Sequence, residues 1–510
     1  MTMRAIAIPS ASRQQLNRSA QRGQALVFTL LFAAVTALVC LVLYNSGKLA
    51  NTRSQLQNAA DAGAYSGAVL LARDHNFAAY TNRAMVANQV SVAQLVSLKS
   101  YLDDAAGTHR RMRGGAHTAV ANLVPVLKPT WTIASNLPIE TEAAAFDASA
   151  PVAVKGLDEL IRVVQLAQEA HHDATALNVS LVANQVVQRN DPDASVSLMT
   201  FQTAYTAGQI RDWAVYTTRQ HASDRSASAD RFARVVVDQD STDQFIRKRG
   251  SVLTAGWISM ATEAACPALI PALTIYGFDH AGGTILSANE KRWMAMDATQ
   301  GGGFVSCVTE VGIPVGYPLI QDGAGGSAGA LAGTNGGYGS RTGFAGNPVE
   351  TSSFGGAING LTAIPGRARY RRGPGTSLDA TTGGLQDYYR EVADTTNTPA
   401  NQSAELNGAA KPFTIEVRRE AATIRTSSRV VGNGAATIKA DDQMKGDSMR
   451  ALASGAAYFF RPNRDSNAFT RTGWGRADNR TEMANLFNPY WQAQLVENPT
   501  AALVLSTTSP

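Results

Sequence analysis

Two histidines in the middle of the chain are the first candidates for chemistry. His171 and His172 stand beside Asp173, with Glu169 close before them, so the segment holds four side chains of types that bind metal ions. Successive residues of a helix point about 100° apart, whereas two histidines that share one ion are usually four residues apart. The spacing therefore predicts no metal site, and we expect no bound metal.

A Gly-x-Ser-x-Gly pattern occurs at residues 325–329 and could mark a serine nucleophile. Such a nucleophile lies on a sharp turn between a buried strand and a helix. Here glycine-rich sequence lies on both sides, because residues 321–360 contain thirteen glycines. The segment also lacks the Gly-Lys-Ser/Thr ending that a phosphate-binding loop needs. We therefore expect no enzyme activity, no cofactor and no small-molecule substrate.

Length and composition narrow the class of protein further. The chain has 510 residues, 45% of them apolar and 17% charged, which is enough for two to four domains with sizeable cores. Its 45 basic and 40 acidic residues leave a net charge of +5, which is nearly neutral for this length. We therefore expect no nucleic-acid partner. Three cysteines are too few for a zinc site with four cysteine ligands.

The elements begin with an uncharged apolar run, Ala25–Leu43, which follows four arginines within residues 1–23. Its nineteen residues would form a helix about 28 Å long, close to the thickness of a bilayer core. The apolar part of a cleaved signal peptide is shorter. The sequence predicts a cytoplasmic segment at 1–23, a single transmembrane helix at 24–44, and export of the rest to the periplasm or cell exterior.

Residues 45–250 have helical periodicity and are predicted to form long helices and a helical bundle. Small residues that let helices approach closely are concentrated near the start of this region, at Ala60, Gly63, Ala64, Gly67 and Ala68. This surface is predicted to pack either on other helices of the chain or on helices of partner subunits.

A later helix of the same region has apolar residues seven apart, at Leu160, Ala167, Ala174 and Leu181. A second seam three residues earlier in each heptad turns polar, since it contains His171 and Asn178. This pattern argues against a long coiled coil and favours a helix packed in a small bundle.

Beyond residue 250 the periodicity changes to short apolar runs among glycines and prolines. We predict a β-rich region at 251–320, a glycine-rich flexible insertion at 321–410, and a C-terminal region with a strand and a helix at 411–510. The individual expectations are strands at 272–276, 292–297, 304–311 and 411–418, a hairpin at 422–440, and a helix at 448–459. The fold class is therefore α+β, a transmembrane helix continuing into long helices and then a β-rich half.

The predicted topology leaves Cys266 and Cys307 as the exported cysteines, because Cys40 lies in the membrane run. Cysteines in an oxidising compartment commonly form disulfides. We predict a Cys266–Cys307 bond, with two buried free thiols or an intersubunit bond as the alternatives.

The first hundred residues resemble a known family. The strings that carry the resemblance are QRGQALVF at 21–28, QNAADAGAYS at 57–66 and YTNRAMVANQV at 80–90. They are similar to the TadG-like assembly proteins of the tight-adherence (Flp) pilus, a relative of type IV pili. The resemblance covers residues 21–100, with shorter similar patches at 292–297, 313–317 and 486–493.

Two features depart from what this resemblance implies. Type IV pilins are cleaved after a glycine and many carry glutamate at the fifth mature position; Gly23 followed by Gln24 fits the cleavage, but the fifth position is Phe28. Better-known TadG proteins end in a von Willebrand factor A domain with an Asp-x-Ser-x-Ser metal motif. The string at 193–197 has that form, but it follows a polar turn instead of a buried strand, so Asp193 is expected to cap or stabilise a turn.

The resemblance implies a membrane-anchored component of a Flp pilus or related secretion machine in the bacterial inner membrane. Its partners would be inner-membrane lipid and pilus or secretion-machine subunits, and it would act by assembly. Two alternatives stay open: a minor pilin that serves as adhesin at a pilus tip, and a periplasmic scaffold unrelated to pili.

Overall fold

A computed structural model gives the structure of the chain, and it describes residues 21–114, 118–119, 122, 128–197, 200–214, 217–220, 243–247, 249–253, 270–286, 293–329, 388–391, 412–424, 444–445, 448–461 and 484–508. The helices are α1 Gln21–Met112, α2 Lys128–Ser135, α3 Ile139–Asn190, α4 Thr200–Ala214, α5 Gln244–Arg247 and α6 Thr500–Thr508. The strands are β1 Ala194–Val196, β2 Thr217–Gln220, β3 Arg249–Leu253, β4 Ile270–Leu286, β5 Trp293–Val308, β6 Pro314–Gly329, β7 Tyr388–Glu391, β8 Pro412–Glu420, β9 Met444–Lys445, β10 Ser448–Phe459 and β11 Trp491–Val496.

The helix α1 is the axis of the molecule. It runs without interruption for 92 residues, which corresponds to about 138 Å. Proline is absent from its sequence, so no residue within it lacks the N–H that the helical ladder requires. The predicted membrane helix and the helix that follows it are therefore one element.

The 52-residue helix α3 folds back along α1 as an antiparallel hairpin. Three pairs of contacts establish this direction: Lys99 with Asp147, Asp74 with His171, and Gly63 against Val187. Later positions of α1 thus meet earlier positions of α3. The α3 side chains that face α1 include the buried Ile161 and Val179.

Two antiparallel sheets pack on the same long helix. One has the strand order β1-β8-β10-β11, with β9 paired to β10, and the other has the order β3-β4-β5-β6. The strands β2 and β7 pair separately. One hydrophobic core joins α1 and α3 to the first sheet through residues such as Leu56, Val187 and Phe413. A second core lies farther along α1 and includes Met85, Ile161 and Trp293.

Three predictions of local structure were wrong. Residues 448–459 form a strand instead of a helix. Their alanines and Gly455 favour close contact with α1, because a Cβ atom at Gly455 would lie 2.5 Å from the carbonyl oxygen of Ala64. The position in the middle of a sheet outweighs the helical propensity of alanine.

The glycine-rich segment was predicted to be flexible, but residues 321–329 belong to β6, which pairs with β5. A Cβ atom at Gly326 would lie 1.9 Å from the carbonyl oxygen of Ser100. Glycine is therefore needed for the close approach of this strand to α1. Most of the predicted insertion lies outside the described residues, as does the predicted hairpin apart from 422–424.

The third correction concerns the packing face of α3. The predicted face at Leu160, Ala167, Ala174 and Leu181 is exposed, and α3 packs on α1 through a different set of residues, which includes the buried Ile161. The helix therefore packs against other elements as expected, but the face that was predicted to be packed is the face that points to solvent.

Candidate functional site

The first twenty residues of α1 after Gln24 form an exposed apolar rod. The 18-residue window with the highest mean hydropathy, 2.9, has none of its surface buried, and α1 is the one helix among the described residues that is long and apolar enough to cross a membrane. The side chain of Phe32, for example, is 74% exposed. So much uncovered apolar surface is unfavourable in water and favourable in lipid. This part of α1 fits a single-pass membrane anchor.

The predicted processing site lies at the start of the same helix. Gly23 and Gln24 have helical backbone within the first turn of α1. Cleavage between them stays a prediction.

The predicted small-residue surface lies against other parts of the same chain. Ala60, Ala64 and Ala68 are fully buried. A Cβ atom at Gly63 would lie 2.6 Å from Val187 Cγ2, and one at Gly67 would lie 2.4 Å from the ring of Phe413. The two glycines therefore let α3 and β8 approach α1 more closely than any larger residue would allow.

Amide side chains of α1 and α3 add specific hydrogen bonds to this packing. The side-chain amide of Asn76 donates to the carbonyl of Trp491 at 2.8 Å, and its oxygen accepts from the Trp491 N–H at 3.0 Å. Asn82 donates to the carbonyl of Leu486 at 2.8 Å, and the Gln168 amide donates to Asn82 at 2.8 Å. Each bond joins the long helix to backbone or side chains far away in the sequence, so the helix and the C-terminal segment fold as one body.

The two histidines considered first for chemistry lie around a buried carboxylate. His171 Nδ1 contacts one oxygen of Asp74 at 2.8 Å, and His172 Nδ1 contacts the other at 2.7 Å. Burial by itself raises the pKa of Asp74, but the hydrogen bonds with His171 and His172, together with charge interactions with nearby histidines, outweigh it and lower that pKa. For His172, burial lowers the pKa, but the bond to Asp74 has the larger combined effect and raises it.

The aromatic surroundings of this cluster are tightly packed. Trp213 stacks on His172 with 4.5 Å between ring centroids, and its indole N–H donates to His75 Nε2 at 3.1 Å. Burial lowers the pKa of His75 to about 4, so this ring stays neutral and accepts that bond. Together these contacts join α1, α3 and α4. Among the described residues, no group of three metal-ligating side chains is arranged to hold an ion. The arrangement is that of a structural network.

A second buried ionic cluster joins α1 to the sheet formed by β3–β6. His280 lies between two carboxylates, with Nδ1 3.1 Å from Asp104 and Nε2 3.3 Å from Asp297. Thr299 also donates to Asp104. Burial lowers the pKa of His280, but the two aspartates outweigh this and raise it to about 9. Burial raises the pKa of Asp104 despite these partners.

The Asp-x-Ser-x-Ser string forms β1 and the turn before it. Asp193 accepts from Arg419 at 2.8 Å, and the same guanidinium bonds both oxygens of Asp191. A cavity of about 460 Å³ lies beside these groups and is also lined by Gln55 and Asn58. Both aspartates thus contact an arginine. The bond within the turn is accepted by Asp191, whose Oδ1 takes the Asp193 N–H at 3.2 Å, whereas the Asp193 carboxylate bonds Arg419. The expected capping role of Asp193 stays a prediction.

Of the two predicted disulfide partners, Cys307 is buried and disulfide-bonded. Cys266 lies outside the described residues, so the pairing itself stays a prediction. Cys40 is free and exposed on the apolar rod.

The sequence reasoning missed Asp74, His75, Asp104 and His280. A signal was present for the first two, because they belong to a run of four polar residues, 73–76, that stands between apolar positions of the helical pattern at Ala72 and Phe77. Charged residues at such positions are rarely buried unless they are paired. The partner His280 could not have been found in this way, since it lies on a strand far along the chain.

One comparison with known proteins bears on this geometry. Residues 23–70 match the family model described as "Putative Flp pilus-assembly TadE/G-like". The match confirms the resemblance to TadE/TadG-like proteins, and it covers the exposed apolar rod together with the small-residue surface. It supports a role related to pilus assembly. Neither the curated proteins nor the solved structures gave a significant match to the chain.

Proposed function

We propose that this protein is a membrane-anchored component of a Flp (tight-adherence) pilus or related secretion machine, which acts by assembly and partner binding and not by catalysis. The single observation that carries the proposal is that the family match at 23–70 spans both the uncovered apolar rod and the first part of α1 that is docked on the body. The matched segment therefore contains a membrane element and its rigid connection to the exported part.

The proposed orientation places residues 1–23 in the cytoplasm and the body outside the inner membrane. Four arginines before the apolar rod support it, because basic residues flanking a span favour the cytoplasmic side. The predicted disulfide is also consistent with an oxidising compartment. The partners we propose are inner-membrane lipid and the subunits of the pilus or secretion machine.

The test combines topology with assembly. A reporter enzyme that is active only in the periplasm should be active when it is fused after residue 110. A reporter enzyme that is active only in the cytoplasm should be inactive when it is fused at the same position. In the native bacterium, replacing Val35 and Leu38 with aspartate should release the protein from the membrane and abolish pilus assembly, since each charge at mid-span costs about 2.5–3.5 kcal/mol.

The matched control is Cys40→Ala, which keeps the rod apolar and should preserve both membrane location and assembly. Cytoplasmic activity of the fusion would contradict the topology. Normal pili in a strain that lacks the protein would contradict the assembly role.

A further inference from the structure

The outward face of α3 carries large apolar side chains that the rest of the described protein leaves uncovered. Leu160, Val163, Leu177 and Leu181 are all exposed, from 47% for Leu160 to 77% for Leu177. They lie on the side of the helix away from Ile161, which packs toward α1. Soluble surfaces rarely present such aligned apolar residues without a partner.

The spacing along this face is that of a coiled coil. Ala167, Ala170 and Ala174 fill the positions between the larger residues, and all three are exposed. From residue 160 to residue 181 the apolar positions alternate by three and four, which is the heptad pattern of a helix that pairs with another helix. The second line of apolar positions in this stripe lies three residues after the first, at Val163, Ala170 and Leu177. The polar line described in the sequence analysis lies three residues before the first, on the other edge of it.

The stripe continues toward the start of α3 through Gly156 and Ala153, which are exposed as well. No atom lies within 4 Å of a Cβ built at Gly156, so this end is open. From residue 153 to residue 181 the stripe is about 42 Å long. All of its positions are uncharged.

We propose that α3 pairs with α3 of a second copy of this chain as a parallel two-stranded coiled coil along this stripe. The direction follows from the membrane anchor, and in this respect the inference rests on the proposed function. Two copies anchored in the same orientation have their α1 helices parallel, and since α3 runs antiparallel to α1 in each copy, the two α3 helices also run in the same direction.

Size and charge both suit pairing with an identical helix. In a parallel pair in register each residue lies opposite its own copy, so the central alanines meet alanines and the leucines at the ends meet leucines. At the edges of the seam, Glu159 lies across from Val164 of the second copy, and Asp173 lies across from Asn178. No like charges are brought together.

The buried area explains why the membrane matters. A stripe about 42 Å long and about 11 Å wide buries roughly 450 Å² per helix, or about 900 Å² in total, which is below the 1,200 Å² of a standard stable interface. Two copies confined to one membrane gain an effective concentration in the millimolar range. Pairing is therefore expected in the membrane and weak after dilution into detergent.

The experiment is disulfide cross-linking of the full chain in native membranes, in a Cys40→Ala background. Val163→Cys places a thiol in the stripe, and oxidation should convert most of the protein to a species of twice the chain mass. Arg162→Cys is the matched control, because it is exposed in the same turn but points away from the stripe. Its dimer yield should be at least five-fold lower.

A second variant changes a residue of the stripe that lies about four turns away from the introduced cysteine. Adding Leu177→Glu to Val163→Cys should reduce the dimer at least five-fold while the midpoint of thermal unfolding stays unchanged, since Leu177 is exposed. Equal yields from Val163→Cys and Arg162→Cys, or a product of another mass, would overturn the proposal. So would cross-linking only when Val163→Cys and Leu177→Cys chains are mixed, because that result indicates antiparallel helices.

The same membrane samples separate the two proposals. A chain that stays in carbonate-washed membranes without forming the dimer overturns the pairing alone. A chain found in the soluble fraction overturns the anchor, and with it the pairing.

Discussion

The exposed and the packed parts of α1 have the same backbone conformation and opposite surroundings. Residues 25–44 are apolar on all sides and touch almost nothing in the protein, whereas the part that begins at Leu49 is buried by α3 and two sheets. The exposed part has large side chains such as Phe28 and Phe32, and the packed part has alanine, glycine and buried amides. Large apolar side chains are favourable in a lipid environment, whereas close packing against protein requires small residues and specific hydrogen bonds.

The largest expected effect comes from filling the space between α1 and its neighbours. Replacing Gly63 and Gly67 with leucine should lower the free energy of unfolding by about 3 kcal/mol, because the ring of Phe413 and the side chain of Val187 occupy that space. The measurement is denaturant unfolding of the full chain in detergent.

The control for this prediction lies on the exposed part of the same helix. A Cβ atom added at Gly47 would have no other atom within 4 Å, so Gly47→Ala should be neutral or stabilise the helix by up to about 1 kcal/mol. A double leucine variant as stable as the parent would mean that α1 does not dock in this way.

The next effect concerns the amide that joins α1 to the C-terminal segment. Asn76→Ala should cost about 2 kcal/mol of unfolding free energy, since it leaves the N–H and C=O of Trp491 without these two bonds. Asn88→Ala is the matched control, because its amide is exposed and bonds to the Ala84 carbonyl one turn earlier in the same helix. Equal losses of unfolding free energy from both variants would show that the bonds between Asn76 and Trp491 do not stabilise the packed part of α1.

A pH effect is expected from His280, which faces Asp104, Asp297 and Thr299. Its pKa is about 9 in the folded protein and about 6.5 when unfolded. The stabilisation is complete below pH 6.5 and is lost as the pH rises through 9, because only the folded state keeps the proton in that window. We expect a loss of about 2–3 kcal/mol between these limits, because one pKa unit corresponds to about 1.4 kcal/mol.

The measurement is the unfolding free energy at a series of pH values from 6 to 9.5, compared with a His280→Gln variant. The variant should have a flatter profile across this window. An unfolding free energy of the parent protein that rises with pH between 6.5 and 9 would contradict the raised pKa of His280.

The smallest effect is expected at the edge of the first sheet. Asp193 is about half exposed and shares Arg419 with the buried Asp191, so Asp193→Ala should change stability by less than about 1 kcal/mol. Added magnesium or calcium should leave the melting temperature of both proteins unchanged. A metal-dependent shift that Asp193→Ala removes would restore the von Willebrand type of metal site.

The sequence predicted what depends on local pattern. The uncharged run predicted the exposed apolar rod at 25–44, and the spacing of Ala60, Gly63 and Gly67 indicated a surface for close approach. It did not identify Phe413 and Ile415 as what fills that surface, because those residues lie on a strand far along the chain. Periodicity constrains a helix face but contains no information on its distant partner.

The two clearest errors have a common physical cause. Alanine was taken to indicate a helix at residues 448–459, and glycine was taken to indicate flexibility at 321–329. In both strands the small residues are selected by the distance to α1, as Gly455 and Gly326 show. Contact with a neighbouring backbone thus determined the composition, and local propensity had little influence.

The unbroken course of α1 has a mechanical consequence. Asn45, only two residues beyond the end of the apolar run at Leu43, is already 1% exposed, so the packed part of α1 begins directly after the apolar rod. At 1.5 Å per residue this leaves a stand-off of about 3 Å. Because α1 is continuous across this junction, the proposed anchor and the packed part of the protein would turn as one piece: a change in the tilt of the rod within a bilayer would rotate the packed part by the same angle.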